Sequence, residues 1–232
     1  MSDPDEIPKA VGEVAKASGK AIDLTTKVGS FISKIFGPAS EQLGGVVEDW
    51  AKYFRAKNLL AISDRVEAIR AKRNQSGKPL TINPSLGIPL LEAASIAEDD
   101  VLRDMWAELI SSATDPDEGM IVRKLFVDLL SSLDPIDAEI LLWISSQGWN
   151  NALGNIDPPS IAVGVSTSED EVLISLRNLS RLALVENGIL DTPEGVYVAS
   201  NSKVRSRIAP LGVALLKACA SSSKTDGHNK SE

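Results

Sequence analysis

The sequence predicts a mostly α-helical protein, with a helical N-terminal domain followed by a winged-helix-like C-terminal domain that carries a small two-stranded β wing. Apolar residues recur at helical spacing through most of the chain, and breaks that contain Pro or Gly separate the periodic stretches. The last third has the order helix, short helix, turn, helix and two β-like runs, which is typical of a winged helix-turn-helix. We expect four parts: an N-terminal amphipathic helix (1–36), a helical domain (37–133), the winged-helix-like domain (134–220) and a disordered tail (221–232).

The first predicted element is an amphipathic helix that ends at Gly37-Pro38, because Gly suits a helix C-cap and Pro cannot continue a helix. Its lysines fall on a narrow stripe of one face: Lys9, Lys16, Lys20, Lys27 and Lys34. Two interpretations stay open. The helix packs its Val/Ile face on the protein core with the lysines in solvent, or it lies on an anionic membrane with the lysines toward the head groups. Glu13 and Asp23 weaken the membrane interpretation.

A long helix is predicted over Ser40–Lys72, and its second half is the most basic segment of an acidic chain. Seven basic residues meet two acids between Lys52 and Arg73. The basic residues are Lys52, Arg55, Lys57, Arg65, Arg70, Lys72 and Arg73. Either they form a solvated face that neighbouring acids neutralise, or they contact phosphate, nucleic acid or acidic lipid.

The remainder of the helical domain is predicted as one loop and two helical regions. Four Gly and Pro residues in 74–87 indicate a loop. Pro89–Ala113 reads as one capped helix or as two abutting helices, with Ser95 and Glu98 in capping-box register if a helix restarts there. Glu118–Leu133 predicts the next helix. Its predicted buried residues are Ile121, Leu125, Phe126, Val127, Leu129 and Leu130.

The C-terminal domain is predicted from its helix starts and its β-like runs. Its predicted helices are Pro135–Ser145, Pro159–Val163, a helix that runs from Ser166 to Leu182, and Pro210–Ala220. Gly164-Val165 is predicted as a tight turn, and Ser166 with Glu169 is in capping-box register. The two predicted strands are Leu184–Glu186 and Val196–Ala199.

The helix predicted after the turn occupies the position of the DNA-reading helix in a winged helix-turn-helix. Such a helix usually presents Arg, Lys, Asn or Gln at exposed positions near its N-terminus. Here those positions are Glu169, Asp170 and Glu171, which repel phosphates. The remaining candidate nucleic-acid contacts are Arg177, Asn178 and Arg181. We expect the domain to serve packing or protein contacts, and a DNA-binding winged-helix transcriptional regulator is the alternative.

Few residues suggest catalysis. The one histidine, His228, lies in the polar tail, which makes a His-assisted nucleophile implausible. Cys219 lies on an apolar helix and is expected to be a small buried hydrophobic residue. Glu98, Asp99 and Asp104 could hold a divalent cation for a nuclease, but acids also cluster at helix starts for electrostatic reasons. We therefore expect no enzyme activity, no metal and no cofactor.

The composition and net charge indicate where the protein is located and which partners it favours. The net charge of −8 opposes global attraction to nucleic acid, and one cysteine excludes a disulfide within the chain. The acidic N-terminus lacks a signal-peptide core, and no run of about 18 apolar residues predicts a membrane span. We expect a cytoplasmic protein that meets the inner membrane, if at all, through the first helix. A protein partner is favoured over nucleic acid.

Three sequence blocks between Gly37 and Leu142 carry a family resemblance. They comprise Gly37-Pro38, Leu43-Gly44, Asp49-Trp50, Arg55 and Asn58-Leu59; Pro89 to Ser95, Glu98-Asp99, Leu102, Trp106-Ala107 and Leu109; and Leu133, Pro135, Asp137-Ala138 and Ile140-Leu141. Together they resemble the abortive-infection alpha (Abi-alpha) family of bacterial phage-resistance proteins. The resemblance implies a role in abortive infection, a response that sacrifices or arrests the infected cell. It implies no catalytic residues.

Overall fold

Nine helices and one two-stranded antiparallel sheet make up the part of the chain that the structure describes. This computed structural model describes residues 23, 26–37, 53–75, 81–115, 122–147, 156–189 and 204–219. The chain divides into two compact units, Met1–Val127 and Asp128–Glu232. The mostly helical fold with a small two-stranded sheet is thus confirmed, and the predicted four-part division stays a prediction.

The first unit begins with helix α1 over 26–36, whose apolar residues are spaced three or four apart. The buried face of α1 consists of Val28, Phe31, Ile32, Ile35 and Phe36. Gly37 has a φ of 53° and follows the helix in the left-handed conformation that favours Gly, as predicted. The Ile82 amide donates to the Ile35 carbonyl at 3.1 Å and ties the end of α1 to the segment before the third helix.

Helix α2 spans Tyr53–Lys72 and ends at the predicted residue. Its fully buried stripe is Ala56, Leu59, Ile62 and Val66, again at helical spacing. Helix α3 spans Pro84–Ser95 and helix α4 spans Asp100–Ala113. Leu90, Leu91, Trp106, Leu109 and Ile110 are buried on these two helices. The predicted helical region therefore consists of two helices.

The helix starts in this region correct two sequence predictions. Residues 84–87 are helical, because Asn83 caps the Ser85 amide and Pro84 occupies the first turn, where a missing N–H costs little. The restart is capped by Asp99, whose Oδ1 accepts from the amides of Val101 at 2.8 Å and Leu102 at 3.2 Å. Ser95 does not cap it, since its hydroxyl donates to the Glu92 carbonyl within α3.

Helix α5 spans Lys124–Ser131, and the division between the two units falls within it. Residues 122 and 123 precede it without helical structure, so the predicted start at Glu118 is wrong for these two positions. Four of its predicted core residues are buried: Phe126, Val127, Leu129 and Leu130. Leu125 was also predicted to be buried but is 46% exposed, because it lies on the outer face of this helix.

The second unit continues with helices α6 (Pro135–Ser146), α7 (Pro158–Val165) and α8 (Glu169–Arg181). Gly164 and Val165 belong to α7 rather than to the predicted tight turn. Ser166 ends α7 with a φ of 55°, so it cannot cap the next helix. Ser168 caps α8 instead, and its hydroxyl accepts from the Glu171 amide.

Strands β1 (Val185–Ile189) and β2 (Val204–Ile208) pair antiparallel, with Val185 opposite Ile208. The predicted second strand, Val196–Ala199, lies outside the described residues, and β2 was not predicted. Helix α9 spans Pro210–Ala218 and contributes Leu215, Leu216 and Ala218 to the core. The Ala209 amide donates to the Leu184 carbonyl at 2.9 Å, which joins the start of α9 to the start of β1.

Candidate functional site

The basic face of α2 lies against the acidic face of α4. Arg65 donates through Nη2 to Asp100 Oδ1 at 2.7 Å and through Nε to Asp104 Oδ1 at 2.6 Å. Both carboxylates are largely exposed, whereas the Arg65 side chain is 29% exposed. One guanidinium therefore neutralises two acids that are one helical turn apart.

Arg73, the residue directly after α2, continues this pairing about two turns beyond Arg65. Its Nη2 donates to Glu108 Oε2 at 2.7 Å. The side chains of Arg73 and Glu108 are only 7% and 15% exposed, so water screens this pair far less than the Arg65 pairs. The acids Asp100, Asp104 and Glu108 thus follow one face of α4 at steps of four residues.

Arg70 is buried beside the end of α4. Its Nη1 donates to Thr114 Oγ1 at 3.3 Å and its Nη2 to the Gln75 carbonyl at 3.2 Å. Burial lowers the pKa of Arg70, and the nearby Asp115 carboxylate opposes that effect. The Gln75 amide donates in turn to Asp115. Arg70 is therefore a packing residue rather than an accessible phosphate contact.

A fourth arginine, Arg103 of α4, holds the α3–α4 connection against α2. Its Nε donates to the Ala97 carbonyl at 3.1 Å, and its Nη2 donates to Asn58 Oδ1 at 2.9 Å. The Asn58 amide donates to the Ser95 carbonyl at 3.1 Å. Asn58 was predicted only as part of a family block, because an amide spaced within an apolar stripe gives no sign of its distant partner.

Three predicted basic residues of α2 remain on the surface. Arg55, Lys57 and Lys72 are exposed, and within the described part of the chain they make no ion pair. Lys52 lies outside that part. Of the seven predicted basic contacts, Arg65, Arg70 and Arg73 therefore serve the interior of the first unit, and the exposed three are the ones available to a partner.

The lysine stripe of the N-terminal segment is described only at its end. Lys27 and Lys34 are exposed; Lys27 Nζ lies 2.9 Å from Asp23 and Lys34 Nζ lies 2.9 Å from Glu67. The hydrogen bond and charge of Asp23 raise the pKa of Lys27. Lys9, Lys16 and Lys20 lie outside the described residues. The apolar face of α1 is buried within its own unit, as the core-packing interpretation expects.

A buried polar network occupies the second unit. Asp137 is 2% exposed and accepts from the Ser175 hydroxyl, from Asn178 Nδ2 at 2.7 Å and from the Asp134 amide at 3.1 Å. Arg181 donates through Nε and Nη2 to Asn178 Oδ1, at 3.2 and 2.7 Å. Arg177 is exposed. Of the predicted nucleic-acid contacts, Asn178 and Arg181 are thus linked to Asp137, and Arg177 is not.

The acids considered for a nuclease serve other contacts. Asp99 caps α4 and Asp104 pairs with Arg65, while Glu98 is exposed. Among the described residues, no three His, Cys, Asp or Glu side chains are placed to hold a metal ion. Cys219 is buried, as expected. No helix in the same residues has the length and apolar character needed to cross a membrane.

Comparison with known proteins identifies a family. A family model described as abortive infection alpha matches residues 55–219, which is more than half of the chain and extends from the first turn of α2 through α9. No curated protein matches the chain, and no solved structure matches it.

Proposed function

Because the chain belongs to the abortive infection alpha family, we propose that it is a bacterial anti-phage defence protein that acts by binding rather than by catalysis. The family match carries the defence role, since it covers both compact units. The proposed target is a phage or host protein in the cytoplasm.

The use of the charged residues supports binding. Where polar side chains converge, they satisfy one another: Arg65 with Asp100 and Asp104, Arg73 with Glu108, and Asp137 with three donors. Such clusters hold helices together, and the groups within them are engaged with one another rather than with a substrate. The exposed basic residues Arg55, Lys57 and Lys72 are therefore the proposed contacts with an acidic surface of the partner.

We further propose that the second unit is a winged-helix module used for protein contacts. The order α6, α7, α8, β1 and β2 supports this assignment. A DNA-binding regulator is not favoured. Glu169, Asp170 and Glu171 are exposed at the start of α8, where they repel phosphates, and Arg181 already donates to Asn178.

Membrane contact is the alternative role for the N-terminal segment. Burial of the apolar face of α1 favours packing on protein over insertion into lipid. The full chain is mixed with vesicles of anionic lipid at low salt and sedimented. Retention in the supernatant is expected, and co-sedimentation that disappears with neutral lipid would instead establish a peripheral membrane role.

The defence role is tested by phage plating. Cells with and without the chain are challenged with a phage panel, and plating efficiency, membrane potential and DNA integrity are recorded after infection. We expect fewer plaques and early loss of the infected cells. Equal plating on both strains across the panel would contradict the defence role.

Binding is separated from catalysis by dose and by surface variants. A binding protein must match the number of its targets, so protection should disappear when expression falls roughly a hundredfold, by mass action. The triple variant Arg55→Gln/Lys57→Gln/Lys72→Gln should lose protection, whereas Arg123→Gln/Lys124→Gln/Lys217→Gln changes three other exposed basic residues by the same charge and should keep it. Full protection at the reduced dose would contradict binding.

A further inference from the structure

The exposed face of α8 carries a symmetric pattern of charges around an apolar centre. Val172, Leu176 and Leu179 are buried on the inner side. Ile174 lies at the centre of the outer side and is 66% exposed. The surrounding outer residues are Asp170, Glu171, Arg177, Asn178 and Arg181. We call these six residues the α8 face.

The charges of the α8 face cannot pair with one another along their own helix. Side chains three or four positions apart are neighbours on a helix. Asp170 has Leu173 and Ile174 at those positions in the C-terminal direction, and Arg177 has the same two residues in the N-terminal direction. Asp170 and Arg177 are seven residues apart, or about 10.5 Å along the axis. Within the described residues neither makes an ion pair.

An antiparallel second copy of α8 supplies the missing partners. With a twofold axis at Ile174, a residue k positions before Ile174 lies at the same height along the axis as the residue k positions after it in the other copy. The same symmetry keeps each edge of the face beside the same edge of the other copy. Asp170 and Arg177 share one edge, so Asp170 then faces Arg177 of the second copy, and the symmetry repeats this pair. Glu171 lies on the other edge near Asn178 of the second copy, whose Oδ1 already holds the Arg181 guanidinium at 2.7 Å. Acidic and basic ends therefore meet on both sides of two opposed isoleucines.

We propose that the α8 face is a self-association surface that binds the same face of a second copy of this chain. Its sign pattern is complementary to itself only in the antiparallel orientation, since a parallel pair places acid on acid. A pair of 13-residue helices buries less than the roughly 1,000 Å² typical of stable interfaces, so we expect a weak, concentration-dependent dimer. This surface is additional to the proposed contact residues on α2.

The first test is sedimentation velocity of the full chain over a concentration series up to about 1 mM, the affinity limit of weak specific contacts. We expect a monomer–dimer equilibrium. Asp170→Arg and Arg177→Glu should each weaken the dimer about tenfold or more, because each places like charges opposite one another twice. A wild-type chain that stays monomeric throughout the series overturns the proposal.

Mixing the two single variants gives the sharper test. At the paired positions Asp170→Arg presents only arginines and Arg177→Glu presents only carboxylates, so an equimolar mixture should form a heterodimer although neither variant pairs with itself. A folding defect cannot produce this rescue. If the mixture stays monomeric, the two residues do not face one another and the proposed register is wrong.

Further variants test whether the apolar centre contributes to the dimer and whether the face contacts nucleic acid instead. Ile174→Asp should abolish the dimer, whereas Val163→Asp, at an apolar residue that is 82% exposed on α7, should leave it unchanged. If Asp170→Arg instead leaves self-association unaltered and creates affinity for duplex DNA that Arg177→Glu lacks, the face is a nucleic-acid contact and the proposal is overturned.

Discussion

At the scale of single residues, the buried carboxylate of Asp137 has the most direct consequence for stability. Its two oxygens accept three hydrogen bonds from three residues of the second unit: Asp134 just before α6, and Ser175 and Asn178 on α8. A buried charge is tolerated only when such partners compensate for lost hydration. Asp137 therefore fixes α8 against α6.

Replacement of Asp137 by alanine should destabilise the protein by about 2–4 kcal/mol, because three donors around a buried carboxylate lose their acceptor. Urea unfolding followed by circular dichroism measures the change. Asp128→Ala, an exposed carboxylate in the same unit, is the control and should stay within about 0.5 kcal/mol. Equal effects of the two variants would show that the network contributes nothing to stability.

Two glycines should respond with opposite signs to alanine. A Cβ at Gly164 would lie 2.1 Å from Trp143 Nε1, so the indole ring must move and overpacking should cost about 1–3 kcal/mol. A Cβ at Gly29 meets nothing within 4 Å, and alanine there should stabilise α1 by about 0.5–1 kcal/mol. Thermal unfolding of both variants checks the signs, and stabilisation by Gly164→Ala would contradict the close contact with Trp143.

At the scale of secondary-structure elements, α2 and α4 are joined by ion pairs of unequal burial. The Arg73–Glu108 pair is nearly buried, whereas the Arg65 pairs end on carboxylates that are 77% and 69% exposed. Exposed pairs contribute about 0–1 kcal/mol, but loss of one partner from a buried pair leaves an uncompensated charge.

Arg73→Gln should therefore cost about 2–4 kcal/mol and Arg65→Gln less than about 1 kcal/mol, with only the smaller effect reduced by added salt. Lys72→Gln removes one positive charge at an exposed position of α2 that makes no ion pair among the described residues. It is the matched control and should be neutral. The free energies of unfolding are measured at about 0.05 and 0.5 M salt. A larger loss for Arg65→Gln would mean that burial does not decide the strength of these pairs.

The elements also show which features a sequence can predict. Apolar spacing located α2, α4, α6, α8 and α9 because burial of one face follows directly from periodicity. The predicted helix boundaries are wrong where a local cap decides them. Asn83 caps a helix whose start is predicted at Pro89, and Asp99 rather than Ser95 caps the helix that restarts after it. Strand β2 was missed because Arg205 and Arg207 alternate with small or apolar residues and resemble a polar loop.

The candidate site, too, could be predicted from the sequence only in part. The sequence located the basic residues of α2, but their partners on α4 lie 35 to 39 positions away in the chain, and no local pattern assigns Glu108 to Arg73 or Asp104 to Arg65. Asp137 was noted only in a family block, because a single acid near a helix start is ordinary. Long-range pairing is thus the information that the linear pattern lacks.

At the scale of the whole molecule, the net charge of −8 and the internal use of the arginines predict weak affinity for DNA. The full chain should show a dissociation constant weaker than about 10⁻⁴ M for duplex DNA at physiological salt. Fluorescence anisotropy with a labelled duplex measures it. Tight binding that Arg177→Gln/Arg181→Gln abolishes would restore the regulator alternative.

The contact between α9 and β1 has a consequence for synthesis of the protein. The Leu184 carbonyl accepts from the Ala209 amide, and a Cβ on Gly212 would collide with that same oxygen, so α9 packs directly on the residue before the strand. Translation delivers α9 after the other described elements of its unit. Until residue 218 has emerged from the ribosome, Leu215 and Leu216 are missing from the core of this unit, and the incomplete unit exposes apolar surface that favours aggregation.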